Sequence, residues 1–108
     1  MIAVRVTISR FVDESFPGWV ECWLEDIHGR IWKFNEKVPI VSAEVLWTES
    51  EYPRPASIAC TVLERKSDST GRQIVMIDTN MPWAVESIDG VTVFDVLAEQ
   101  LEGDTAQN

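Results

Sequence analysis

The chain has 108 residues, of which 45% are hydrophobic and 9% aromatic, as is typical of one globular domain and not of a disordered chain. Its formal charge is −9, and no apolar run approaches the roughly 20 residues of a membrane span, so nucleic acid and membranes are not expected as partners. The first ten residues alternate in polarity, which argues against a signal peptide and favours a cytoplasmic location.

Residues 2–12 (IAVRVTISRFV) predict the first strand, because apolar and polar side chains alternate along them. The alternation changes phase at Ser9–Arg10, which predicts a β-bulge at that point. Residues 13–15 predict a loop, and Phe16-Pro17-Gly18 predicts a turn, since proline fixes φ and glycine accepts a positive φ.

The segment Gly18–Lys37 predicts a β-hairpin around which the rest of the domain is built. Directly opposed residues share a face of a sheet, so the apolar even-numbered positions of both strands must pair with one another. A three-residue loop, Ile27–Gly29, satisfies this parity and places glycine where a left-handed residue is needed. The expected pairs are Cys22 with Phe34, Leu24 with Trp32, and Asp26 with Arg30.

The odd-numbered side chains of this hairpin then lie on the opposite face, with Trp19, Glu21, Trp23 and Glu25 opposite Lys37, Asn35, Lys33 and Ile31. One interpretation is a solvated face on which Trp23 lies against the Lys33 stem in a cation–π contact. The other is a protein-contact surface, since tryptophan is enriched among interface hot spots. Self-association through Trp19 and Trp23 belongs to this second interpretation.

The middle of the chain predicts less regular structure. Residues 38–41 either form an edge of the sheet or leave it, because Pro39 cannot donate to a strand ladder. Residues 42–48 are ambiguous between one helical turn and irregular chain. The two prolines in residues 50–55 predict a loop without regular pairing, and residues 56–65 predict one strand.

Residues 72–79 predict a central strand, because the apolar run at positions 74–77 requires cover on both faces. Residues 84–88 and 91–96 predict a hairpin around the two-residue turn Asp89-Gly90. Its expected pairs are Ile88 with Val91, Val85 with Phe94, and Trp83 with Val96. Residues 97–102 are ambiguous between a strand and a short or frayed helical end, of which the helical end is preferred, and residues 103–108 are expected to form a disordered tail.

These elements predict an all-β domain over residues 1–102, with about six to seven short antiparallel strands and room for a short C-terminal helix. A small barrel and a two-layer sandwich both remain open, because either would cover the apolar faces that an open sheet leaves wet.

Catalytic chemistry has little support in the composition. Cys22 and Cys60 lie at apolar positions and are expected to be buried free thiols. His28, an expected exposed turn residue, is six residues along the strand from Cys22, about 20 Å at ~3.3 Å per residue, which excludes a Cys–His dyad between them. One histidine and two separated cysteines argue against a zinc site, and no cofactor motif is present.

Ile77-Asp78-Thr79 resembles the hydrophobic-Asp-Thr-Gly motif of retroviral-type aspartic proteases, which are all-β homodimers of similar length. The resemblance covers about six residues and implies an enzyme in which Asp78 meets its copy across a dimer axis. Asn80 stands where that family has glycine. The alternative is that Asp78 caps a turn with Thr79 and Asn80.

The C-terminal third is acidic throughout, with seven acids and no base over residues 73–108. Such a field steers a basic partner, although solubility alone also explains it. We therefore expect a non-enzymatic protein-binding module with an acidic surface; the alternative is a small inhibitor or immunity-type protein that occludes a basic partner. The candidate binding residues are Trp19, Trp23, Lys33, Glu86, Asp89 and Asp95.

Overall fold

The computed structural model of the protein describes residues 1–103 and has eight strands in two antiparallel sheets, which confirms the all-β prediction. The strands are β1 (Ile2–Asp13), β2 (Trp19–Glu25), β3 (Ile31–Lys37), β4 (Arg54–Ala59), β5 (Thr61–Ser67), β6 (Gln73–Asp78), β7 (Val93–Leu97) and β8 (Leu101–Gly103). A four-residue helix, α1 (Val38–Val41), follows β3, and a 3₁₀ turn (Ala98–Gln100) follows β7.

The first sheet has the order β3-β2-β1-β4, with β8 also paired to β1, and the second has the order β5-β6-β7. Single backbone hydrogen bonds join the two sheets at both sides. Cys60, between β4 and β5, donates its N–H to the Ile2 carbonyl at 3.0 Å. On the other side, Ile27 N–H donates to the Asp95 carbonyl at 3.0 Å. The domain therefore consists of two antiparallel sheets that are bridged by the connecting chain.

The β2–β3 hairpin has the predicted register and the predicted three-residue loop. Cys22 pairs with Phe34 and Leu24 with Trp32. Asp26 N–H donates to the Arg30 carbonyl at 3.0 Å, which closes the loop. The predicted bulge in β1 is also present, between Ile8 and Arg10.

Both sheets contribute side chains to one hydrophobic core. From the first sheet come residues such as Ile8, Cys22 and Phe34, all fully buried, and from the second come Ile77 and Val96. The ring of Phe94, in β7, meets the rings of Trp32 and Phe34 edge-on at 5.3 and 5.8 Å between centroids. Each fully buried large side chain contributes roughly 1.5–3 kcal/mol to folding.

The thiols are free and buried, as predicted. Burial raises the pKa of Cys22 to about 12 and that of Cys60 to about 11.

The single strand predicted for residues 56–65 is wrong, because the chain changes sheets at Cys60 and forms β4 and β5 instead. The expectation that prolines exclude pairing before residue 56 is also wrong, since Pro55 pairs with Thr7. Strand β4 lies at the edge of its sheet, where a missing N–H need not remove a ladder bond.

The hairpin predicted for residues 84–96 is wrong as well. Residues 84–88 form no strand, and β7 pairs with β6, so that Phe94 lies opposite Ile77 and Val96 opposite Val75. Trp83 is 53% exposed and faces no partner strand. The apolar side chains of β7 are better buried against the central strand β6 than against a short, more polar segment.

The reason for this error is a loop conformation that occurs three times within residues 1–103. Asp26–Arg30 and Asp68–Arg72 share the pattern Asp-x-x-Gly-Arg, and Ser87–Val91 has serine and valine at the ends. In each loop the first residue donates its N–H to the fifth carbonyl, and the fourth residue, a glycine with positive φ, donates to the first carbonyl. The glycine of Asp89-Gly90 is thus the fourth residue of a longer loop and not the second residue of a tight turn.

The C-terminal end is a single 3₁₀ turn, where a short helix was expected, and it is followed by β8, which the sequence did not predict. Gln100 holds this end in place: its side-chain oxygen accepts from Leu97 N–H at 2.8 Å, and its amide donates to the Glu25 carbonyl at 2.9 Å. Of the predicted tail, Gly103 is the last residue of β8, and residues 104–108 lie outside the described part of the chain.

Candidate protein-binding surfaces

The outward side chains of β2 and β3, here called the hairpin face, all retain some exposure to solvent. Trp19 and Trp23 lie on this face, half-buried, and point away from Cys22 and Phe34, as predicted from strand parity. The tryptophans are therefore available at the surface.

Local contacts hold the hairpin face in order. The Lys37 ammonium lies 5.7 Å from the Trp19 ring, so the cation–π contact expected at Trp23 is found at Trp19 instead. Glu21 accepts a hydrogen bond from Ser9 Oγ at 2.8 Å, which lowers the pKa of this carboxyl although partial burial opposes the shift. Trp23 lines a shallow depression next to Ile31 and Lys33.

The chain between β6 and β7, here called the 80–90 loop, is held to the domain by Thr79. This residue is fully buried; its hydroxyl donates to the Val85 carbonyl at 2.7 Å, and its N–H donates to the Thr92 carbonyl at 2.9 Å. Ala84 N–H donates to the Asn80 carbonyl at 2.8 Å. Ala84 itself has φ of 56°, a conformation that non-glycine residues adopt where surrounding contacts hold them.

Three large apolar side chains of the 80–90 loop, those of Met81, Trp83 and Ile88, are each more than half exposed. The sequence predicts Trp83 and Ile88 as paired residues of a hairpin and makes no prediction for the burial of Met81. Their exposure therefore follows from the tertiary structure, and neither periodicity nor composition indicated it.

The predicted acidic residues divide into two groups. Glu86 and Asp89 are exposed on the 80–90 loop, whereas Asp95 is half-buried in β7, opposite Met76. The structure adds Glu36, a half-buried residue of β3 that no pattern in the sequence indicated. Burial raises the pKa of Glu36, and the charge of the neighbouring Glu86 raises it further.

Lys33 connects the two predicted regions, because its carbonyl accepts a hydrogen bond from Ile88 N–H at 2.8 Å. The 80–90 loop therefore runs along the edge of β3, next to the hairpin face. Sequence separation of more than 50 residues conceals this proximity from any local pattern.

Asp78 lies at the end of β6, half-buried, with Thr61 and Val93 opposite it on the neighbouring strands. Its Oδ1 accepts the N–H of Asn80 at 2.9 Å. This is the geometry of the turn-capping alternative.

Over residues 1–103, no three or more His, Cys, Asp or Glu side chains lie where they could together hold a metal ion. No helix within the same range is long and apolar enough to cross a membrane. Comparisons with models of protein families, with curated proteins and with solved structures find no match to this chain.

Proposed function

We propose that this chain is a non-enzymatic protein-binding module whose acidic surface binds a partner with a basic surface, in keeping with a cytoplasmic protein. The observation that carries the proposal is the 80–90 loop, with three exposed large apolar side chains beside two exposed acids. Large exposed apolar groups with charged residues around them are typical of protein-binding sites.

The fixed conformation of the 80–90 loop supports this function. The hydrogen bonds around Thr79 and the loop closure at Gly90 order the chain before any partner arrives. A preordered loop loses little conformational entropy on binding, so a larger share of its contact energy contributes to affinity.

The charge of the loop supports a basic partner. Glu86 and Asp89 are exposed, and Glu36 already lies near enough to Glu86 for the two charges to repel. A Lys or Arg side chain placed between them would relieve that repulsion. Acidic surfaces of this kind also accelerate association with basic proteins.

An inhibitor or immunity-type protein would use the same surface, with a basic enzyme as the partner. The net charge of −9 favours this version, because electrostatic steering gives fast capture of a basic target. The hairpin face, with Trp19 and Trp23, is a second contact area and the place where two copies of the chain would associate.

The experiment is site-specific photo-crosslinking in a lysate of the native host. A benzoyl-phenylalanine replaces Trp83 in one protein and Leu63 in another; Leu63 is equally exposed but lies on β5. We expect only the protein with the crosslinker at position 83 to capture a partner, through a peptide rich in Lys and Arg. Adding Glu86→Lys to that protein should abolish the capture. The same captured proteins at both positions, or a captured peptide without basic residues, would contradict the proposal.

A further inference from the structure

A second surface, separate from the 80–90 loop, lies at the end of the β1–β2 pair. There the turn before β2 and the segment 46–49 enclose a groove of 640 Å³, here called the aromatic groove. Phe11, Phe16, Leu46 and Trp47 are the large apolar side chains that line it. This volume lies within the range of about 300–1,000 Å³ that is common for ligand sites.

The aromatic side chains of the groove are exposed to a degree that folding does not explain. Phe16 is 96% exposed and Trp47 is 57% exposed. Phe11 pairs with the buried residue Val20, so it faces the interior side of the sheet, yet it remains only half-buried and lines the groove. Apolar surface of this kind typically marks a site that a ligand covers.

Hydrogen bonds hold the Trp47 side of the groove in place. The main-chain N–H of Trp47 donates to Ser50 Oγ at 3.1 Å, and its carbonyl accepts from Tyr52 OH at 2.8 Å. Thr48 Oγ donates to Glu14 at 3.1 Å and thereby links the two sides. The groove is therefore formed before a ligand enters.

Gly18 also lines the groove and allows the chain to pass close to the Phe11 ring. Its φ is +92°, and a Cβ at this position would lie 3.1 Å from the Phe11 ring. Both the backbone conformation and the space favour glycine here.

All charges on the two segments that form the groove are negative. Residues 13–18 and 44–51 contain five acids and no base. Glu44 is paired with Arg54 at 2.6 Å, whereas Glu14 and Glu49 line the groove itself. The site therefore combines exposed aromatic rings with two carboxylates.

We propose that the aromatic groove binds an arginine side chain presented by an extended segment of a partner protein. A guanidinium group stacks on aromatic rings through its planar face and donates to carboxylates through its edge, so one side chain uses both features of the site. Within the described residues, the groove offers no cation that would attract an acidic ligand.

The probe is the capped pentapeptide acetyl-Pro-Ala-Arg-Ala-Pro-amide, and the control peptide carries citrulline, the uncharged isostere, in place of arginine. In two-dimensional ¹H–¹⁵N NMR we expect shifts at the Trp47 indole and at the amides of residues 14, 16 and 49, with no shift at the Trp23 indole. Citrulline should weaken binding at least about tenfold, since it keeps the shape but loses the charge.

The variants are Trp47→Ala, with the similarly exposed Leu63→Ala on β5 as its control, and Glu49→Gln, with Glu64→Gln on β5 as its control. Trp47→Ala should weaken binding about tenfold or more and Glu49→Gln about threefold, while both controls bind as the parent protein does. Both substitutions are at exposed positions, so folding is retained and a circular-dichroism melt verifies it.

Equal affinity for the citrulline peptide, or unchanged binding by Trp47→Ala, would overturn the assignment. So would a dimer that Trp47→Ala dissociates in sedimentation, which would make a second copy the occupant, or co-sedimentation with phosphatidylcholine vesicles that requires Trp47. Crosslinking from position 83 does not depend on any of these outcomes. A failure of the arginine assignment is therefore distinguishable from a failure of the proposed function.

Discussion

At the scale of single residues, the structure distinguishes carboxylates that stabilise the fold from carboxylates whose burial in the ionised form destabilises it. Asp26 belongs to the first kind. Burial by itself would raise its pKa, but the hydrogen bonds from the Trp32 indole and from the N–H groups of Arg30 and His28 outweigh burial, and the pKa is lowered. Glu36 belongs to the second kind, because burial raises its pKa and Glu86 adds repulsion.

Replacing Glu36 tests this assignment through the pH dependence of stability. A carboxyl whose pKa is raised in the folded state destabilises the fold when the pH is above that raised pKa. At a pH below its ordinary pKa of 4.5 it has no such effect. Glu36→Gln should therefore raise the free energy of unfolding near neutral pH by about 0.5 kcal/mol, or about 2–4 °C in Tm, after allowance for partial exposure. At a pH below 4.5, this gain in the free energy of unfolding should disappear.

Thermal melts across the acid range measure this effect, with Glu64→Gln on the exposed strand β5 as the control. A gain that is independent of pH would indicate that packing, and not ionisation, is the cause. In a Glu86→Gln background, the gain from Glu36→Gln should be smaller, because one source of repulsion is already absent.

At the scale of elements, loops decide which surfaces the domain presents. The aromatic residues of the hairpin face follow from strand parity, and their orientation was predicted correctly from the sequence. The conformation of the 80–90 loop was not predicted, because its side chains follow neither a period of two nor a helical period. Its conformation depends on Thr79, whose bonds reach across to residues 85 and 92.

Thr79→Val should release the 80–90 loop while it preserves the shape of the buried side chain. The Val85 carbonyl would lose the buried hydroxyl donor, and we expect destabilisation of about 1–3 kcal/mol. Thr61→Val is the control, since the Thr61 hydroxyl is exposed and its hydrogen bond to the Met81 carbonyl is long, at 3.4 Å. Hydrogen exchange should accelerate at residues 84–90 and remain unchanged in β2 and β3.

If exchange accelerated equally in all strands, Thr79 would stabilise the whole domain and not this loop in particular. We also expect crosslinking from position 83 to weaken in Thr79→Val. The released loop would lose more conformational entropy when it binds a partner, which lowers the affinity.

At the scale of the whole molecule, one core connects both sheets, and the two thiols lie within or against it. The pKa of Cys22 is about 12 and that of Cys60 about 11, so the folded protein presents almost no thiolate near neutral pH. Reactivity of the thiols therefore reports on opening of the core.

With Ellman's reagent near neutral pH, both thiols should react slowly in the folded protein and within seconds after denaturation in guanidinium chloride. Cys60, which is slightly exposed, should react before Cys22, which is fully buried. Cys22→Ala and Cys60→Ala assign the two phases. Fast reaction of both thiols in the folded protein would contradict a core shared by the two sheets.

Local patterns in the sequence determined the β class, the inward direction of Cys22 and Phe34, the register of the β2–β3 hairpin and the bulge in β1. Each of these depends on alternation or on a turn residue a few positions away, and burial of one sheet face makes alternation a strong signal. The acidic character of the C-terminal third followed from composition alone.

Only the tertiary structure decided that β7 pairs with β6, that the chain changes sheets at Cys60, and that Glu36 lies near Glu86. It also decided that Phe16 and Trp47, from segments about 30 residues apart, form one groove. These outcomes depend on which distant apolar faces bury each other best, and a strand's own residues do not encode its partner. Both proposed binding surfaces depend on such long-range contacts, which local patterns in the sequence do not encode.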